Sequence, residues 1–96
     1  MDKRLSELYE KYSVIGEYRG IGAMKAIELV KSRASREPYK DLTERIIREA
    51  MRRGLLLLKA GVYDNVIRII PPINIEFSLL EEGFNILDES IRASLS

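Results

Sequence analysis

The 96-residue chain contains no cysteine and no histidine. The first absence excludes a disulfide framework, a thiolate zinc site and a thiol nucleophile. The second removes the commonest general base and the commonest metal ligand. Apolar runs are short: none approaches the ~20 residues that span a bilayer, and the charged start Met1-Asp2-Lys3-Arg4 is not followed by an apolar signal core. The expectation is therefore a cytoplasmic protein with no membrane partner. An excess of one charge is also missing, since 16 basic and 15 acidic residues leave +1. Nothing global draws such a chain to nucleic acid.

What is present is an ordinary globular composition, 46% hydrophobic and 32% charged, of a length that allows one domain, residues 1–96. Residues 2 to 12 read as a helix, with Leu5, Leu8, Tyr9 and Tyr12 at i, i+3, i+4 and i+7. Gly16, Gly20 and Gly22 then cut the chain into short extended pieces. The Gly-x-Gly pair falls short of a phosphate-cradling fingerprint, which needs a third glycine and a helix directly behind it. A bend or bulge at a sheet edge suits these glycines better. Ala23 to Val30 follows as a strand, with Lys25 beside Ile27 and Leu29 on one side and Met24, Ala26, Glu28 and Val30 on the other.

A polar loop over residues 31–40 leads to a helix from about Asp41 to Arg53. Its buried stripe is Leu42, Ile46, Ile47, Ala50 and Met51, and Gly54 is placed to terminate it in a left-handed conformation. Arg45, Arg48, Arg52 and Arg53 make one surface basic. Interleaved Glu44 and Glu49 and the lack of a nearby aromatic favour a solvated helix face over a nucleic-acid interface. Leu55 to Leu58 is short and wholly apolar, as a central strand would be. A loop over residues 59–65 precedes a strand from Val66 to Ile70, which stops at Pro71-Pro72; Ile73 to Phe77 reads as another extended piece. The last helix opens with Ser78-Leu79-Leu80-Glu81, the pattern of a capping box. Its core face is Leu80, Phe84, Leu87, Ile91 and Leu95, with Gly83 allowing close approach to the sheet. The layer arrangement expected is α+β: a small mixed or antiparallel sheet with two to three helices packed on one face.

Arg68 interrupts the apolar run Val66-Ile67-Arg68-Ile69-Ile70. A guanidinium keeps its proton and is costly to bury without an anionic partner. Five fixed N–H donors suit it to grip a carboxylate in bidentate fashion. The structural alternative is an edge-strand arginine lying across apolar surface, or one paired to an internal glutamate.

Gly61 through Pro72 resembles the "G…NVIR…PP" segment of class III pyridoxal-phosphate-dependent aminotransferases, the family of the 4-aminobutyrate and acetylornithine enzymes. Ile15 through Val30 resembles that family's "IG-x-x-RG-x-G-x-M-x-x-IEL" stretch, Arg53-Gly54-Leu55-Leu56-Leu57-Leu58 its "RGLL" turn and strand, and Leu80 through Phe84 its final helix. Lys25 departs from the pattern, which has an apolar residue there; an exposed part of the strand, or a surface covered in the intact enzyme, would accommodate it. The resemblance implies the C-terminal small domain of such an enzyme, as a fragment, a split subunit or a truncated product. It also implies that Arg68 is the substrate-carboxylate-binding residue. Pyridoxal phosphate is the cofactor of the parent family. Its internal lysine, acidic partner and phosphate cradle belong to a large domain with no counterpart here, so this chain alone is expected to hold no cofactor and to be catalytically silent. The implied partners are a large-domain subunit, a carboxylate substrate and a second copy of the chain. The alternative is a stand-alone binding or protein-interaction module derived from that domain, which would expose a contiguous apolar patch.

Overall fold

A computed structural model describes residues 2–21, 24–69 and 77–95. Its elements in order are helix α1 (Asp2–Lys11), strands β1 (Ile15–Ile21) and β2 (Met24–Leu29), helix α2 (Lys40–Arg52), strands β3 (Leu58–Ala60) and β4 (Val66–Ile69), and helix α3 (Phe77–Leu95). The strands form one sheet in the order β1-β2-β4-β3, and every pairing is antiparallel. The fold is thus α+β, with the sheet antiparallel rather than mixed.

The helices collect on one face because each offers one apolar stripe to a shared core. α1 contributes Leu5, Leu8 and, just past its end, Tyr12; α2 contributes Leu42, Ile46 and Ala50; α3 contributes Phe84, Leu87 and Ile91. The sheet answers with Ile15, Ile27, Leu29 and Ile67, all fully buried. Leu95 and Met51 fall outside this stripe, 45% and 55% exposed, because each lies at the last turn of its helix.

Local devices fix the ends. At the end of α2, the Gly54 N–H donates to the Met51 carbonyl and the Leu55 N–H to the Ala50 carbonyl, with Gly54 at φ +91°. This is the paired arrangement that closes a helix through a left-handed residue. Leu55 is consumed by that closure, so the strand begins at Leu58. β3 lies at the sheet edge rather than at its centre, and the apolar run from Leu55 divides between a helix terminator, an exposed Leu56 and a buried Leu57. At the end of α1, the Arg33 side chain gathers the carbonyls of Tyr9, Tyr12 and Ile15 and lies 3.8 Å over the Tyr9 ring. The capping box at α3 is not formed. Ser78 is already helical, and Glu81 accepts from Arg4 of α1 at 2.7 Å. Among the described residues a Cβ at Gly83 would meet Leu55 at an ordinary contact distance rather than a strand.

β1 is continuous from Ile15 to Ile21 apart from a register shift at Gly16, where a Cβ would come within 2.8 Å of Val30. Gly20 sits inside this strand and is followed by strand β2, not a helix, so no phosphate loop forms. Lys25 is 8% exposed, packed where its cross-strand neighbour Gly20 has no Cβ; a Cβ there would overlap the lysine stem. The chain itself therefore buries the residue that departs from the expected apolar type. Gly22 and the stretch from Ile70 through Glu76, including Pro71-Pro72, lie outside the described residues.

Candidate anion-binding site on the open face of the sheet

β4 is an interior strand, flanked by β2 and β3. Its alternation sends Ile67 into the core and leaves Arg68 exposed on the face away from the helices. An edge-strand arginine is thereby excluded. Among the described residues Arg68 has no ion pair or hydrogen bond, to a glutamate or otherwise.

Strand register decides what surrounds it. Arg68 pairs with Ala26 of β2 on one side and Leu58 of β3 on the other, and Ala26 pairs with Arg19 of β1. A row Arg19–Ala26–Arg68–Leu58 thus crosses the sheet on one face. Neighbouring strands lie ~4.8 Å apart, so the two arginines are anchored roughly 10 Å from each other across a single methyl group. The cleft above this row has a volume of about 340 Å³ and is lined by both arginines, Ala26, Lys25, Gly20, Ala60, Gly61 and Val66. Among the described residues no carboxylate lines it. Its chemistry is that of an anion receptor with apolar walls.

The buried Asn65 holds the register that places Arg68. Its Nδ2 donates to the Leu29 carbonyl at 3.0 Å, and its own carbonyl accepts from the Leu29 N–H at 2.8 Å. Gly61 at φ +90° and Asp64 at φ +54° make the turn that delivers the chain to that contact. Arg19 is the member of the site that sequence reasoning missed. It donates to Glu17 at 3.0 Å, and Glu17 also lies 3.6 Å from Arg36, which pairs with Glu28 at 3.0 Å. The signal for Arg19 lay in its strand partner rather than in its own sequence neighbours.

Three of the lysines sit in ion pairs on the described surface. Lys31 pairs with Glu37, Lys40 with Asp64 and Lys59 with Glu44. The hydrogen bond to Glu44 raises the Lys59 pKa. Among the described residues no group of acidic side chains has metal-binding geometry, and no helix is long and apolar enough to cross a membrane.

Comparison with known proteins places these observations in context. A family profile described as "Aminotransferase class-III" matches residues 1–91. A probable 4-aminobutyrate aminotransferase of Bacillus subtilis is 42% identical over 93 residues, covering 97% of this chain and 21% of the relative. A 5-aminovalerate aminotransferase of Pseudomonas aeruginosa is 42% identical over 85 residues, covering 88% of this chain and 20% of its own length. Among solved structures, a PLP-bound aminotransferase mutant from Vibrio fluvialis superposes with a TM-score of 0.88 at 31% identity, over 98% of this chain and 21% of that one. The chain spans about a fifth of the length of each of these three proteins.

Proposed function

The chain belongs to the class-III aminotransferase family, and on that premise we propose that it is the C-terminal, substrate-carboxylate-recognising domain of such an enzyme. The observation that carries this reading is the exposed Arg68, unpaired among the described residues, in a cleft lined by cations and small apolar residues. A guanidinium so placed grips one carboxylate through two parallel hydrogen bonds and fixes its plane. Fixing the plane orients the remainder of an amino acid, which removes rotational freedom before reaction. When bound by the large domain, pyridoxal phosphate supplies the electron sink for amino-group exchange; this chain contributes binding and orientation. By itself it does not transaminate.

The exposed side chains around β3 support a domain that works against another polypeptide. Leu56, Leu58, Val62 and Tyr63 are 81%, 57%, 92% and 67% exposed. The same surface suits the second reading, a stand-alone interaction module, and one experiment separates the two.

In that experiment, this chain replaces the matching fifth of the Bacillus subtilis relative, and transamination of 4-aminobutyrate is measured. The expected result is an active chimera in which Arg68→Lys raises KM by about tenfold, since charge is kept and the fork is lost. An active chimera whose KM ignores the exchange would remove Arg68 from the site. Should the chimera not fold, glutarate titrated into the 96-residue chain gives the same answer from amide shifts on β2 and β4 and their loss in Arg68→Gln.

A further inference from the structure

Arg45, Arg48 and Arg52 follow one another along α2 at i, i+3 and i+7 and so share a face. That face walls a groove of about 390 Å³ between α2 and α3, lined also by Glu49, Ala93 and Ser94. Small residues on α3 open the groove. Ala93 offers only a methyl group, and the buried Ser94 turns its hydroxyl back to the Ser90 carbonyl at 2.8 Å. The one carboxylate among the described lining residues is already engaged. Glu49 pairs with Arg52 at 3.2 Å and with Arg53, and the Arg53 hydrogen bond is the leading reason its pKa is lowered. The nearby Glu44 is held by Lys59 at 3.0 Å. Arg45 and Arg48 remain, and neither has an ion pair or hydrogen bond among the described residues.

We propose that the α2–α3 groove is a binding site for a linear oligophosphate, with Arg45 and Arg48 as its principal receptors and Arg52 at its far end. A rise of 1.5 Å per residue spreads the three arginines over about 10 Å of helix, with Arg48 between the other two. A single carboxylate satisfies one such fork. A chain of phosphates presents oxygens to all three, and each guanidinium binds them in bidentate geometry. Among the described residues no aromatic ring lines the groove to stack a base, which favours the phosphate chain itself over a nucleic-acid strand. The site lies on the helix side of the molecule, away from the Arg68 cleft on the open sheet face, and does not depend on the function assigned to that cleft.

Inorganic tripolyphosphate titrated into the 96-residue chain at about 150 mM salt tests this, with calorimetry and backbone amide shifts as readouts. The expected shifts fall on α2 and the last turns of α3. Arg45→Gln and Arg48→Gln each weaken binding about tenfold, Arg48→Lys restores part of it, and Arg68→Gln leaves it unchanged. Circular dichroism confirms that each variant keeps the fold, as exchanges of the half-buried Arg45 and the exposed Arg48 on a helix surface allow. Three outcomes overturn the proposal. One is no binding below about ten millimolar, a second is Arg68→Gln weakening it as much as Arg48→Gln, and a third is orthophosphate binding as tightly as tripolyphosphate.

Discussion

Ala26 on β2 lies directly beside Arg68 on β4, and its methyl group is all that separates Arg68 from Arg19 along that row of the sheet. Cross-strand neighbours on one face sit close enough for a larger side chain to cover its partner. Ala26→Leu therefore fills the cleft from its floor while leaving the helix-side core untouched. Stability should change by no more than about 0.5 kcal/mol, as for other substitutions outside the core. Carboxylate affinity in the chimeric enzyme should fall by about tenfold or more, corresponding to about 1.4 kcal/mol. Urea denaturation and KM together check both halves. Retained affinity with a leucine at this position would show that ligands do not enter over β2.

The end of α1 rests on one side chain from a distant loop. Arg33 donates to carbonyls of Tyr9, Tyr12 and Ile15, and the two tyrosine carbonyls belong to the last turn of the helix and the residue just past it. Hydrogen bonds from a charged donor contribute about 1.5–3 kcal/mol where burial is appreciable, and less at the surface. Arg33→Ala should destabilise the chain by about 2 kcal/mol. Arg33→Lys should recover only part of this, because an ammonium cannot span three acceptors in a fixed plane. A denaturation midpoint unchanged in Arg33→Ala would mean that water satisfies those carbonyls equally well.

The helices were legible in the sequence because each carries one periodic stripe and α2 ends at a glycine whose role local chemistry dictates. Leu55 to Leu58 misled for the same reason: an apolar run looks like a central strand, yet Leu55 is claimed by the Gly54 helix closure and pairing starts only at Leu58. The capping box failed because Glu81 had a stronger option, the guanidinium of Arg4 some 77 positions away. Arg68 stood out as a lone cation in an aliphatic run. Arg19 did not, since only the antiparallel register of three strands brings it to the same face, and register is set by long-range pairing rather than by neighbours in sequence.

Gly54 and Gly16 separate two reasons for glycine. At Gly54 φ is +91° and nothing lies within 4 Å of where a Cβ would stand, so Gly54→Ala reports backbone strain alone. The expected loss is about 1 kcal/mol. At Gly16 φ is not in the left-handed region, but a Cβ would lie 2.8 Å and 2.9 Å from the two methyl groups of the fully buried Val30. Gly16→Ala should cost more, about 1–3 kcal/mol from overpacking. Val30→Ala should relieve that excess in the double variant. Equal losses at the two glycines, without coupling to Val30, would contradict the steric account.

The contact between α1 and α3 titrates in both acid and alkali. Asp88 of α3 accepts from the Tyr12 hydroxyl and from Lys11 Nζ at 2.9 Å. Burial by itself would raise the Asp88 pKa, but these two donors outweigh it and hold the carboxyl below its usual range. Tyr12 is pushed up to about 12, first by burial and then by the hydrogen bond to Asp88. For Asp88 the folded pKa is the lower one, so its contribution is present at neutral pH and fades as pH falls through that depressed value. For Tyr12 the folded pKa is the higher one. Its contribution is whole below the unfolded value near 10 and fades as pH rises toward about 12. Chemical denaturation from pH 2 to 12 should therefore show stability falling at both ends. Asp88→Asn should flatten the acid limb and lower the alkaline one, because it removes the charge that resists tyrosinate formation. Tyr12→Phe should abolish most of the alkaline fall while leaving the Lys11 pairing, and with it much of the acid limb, in place. An alkaline limb unchanged in Tyr12→Phe would assign the transition to other groups and leave the α1–α3 contact without a titrating role.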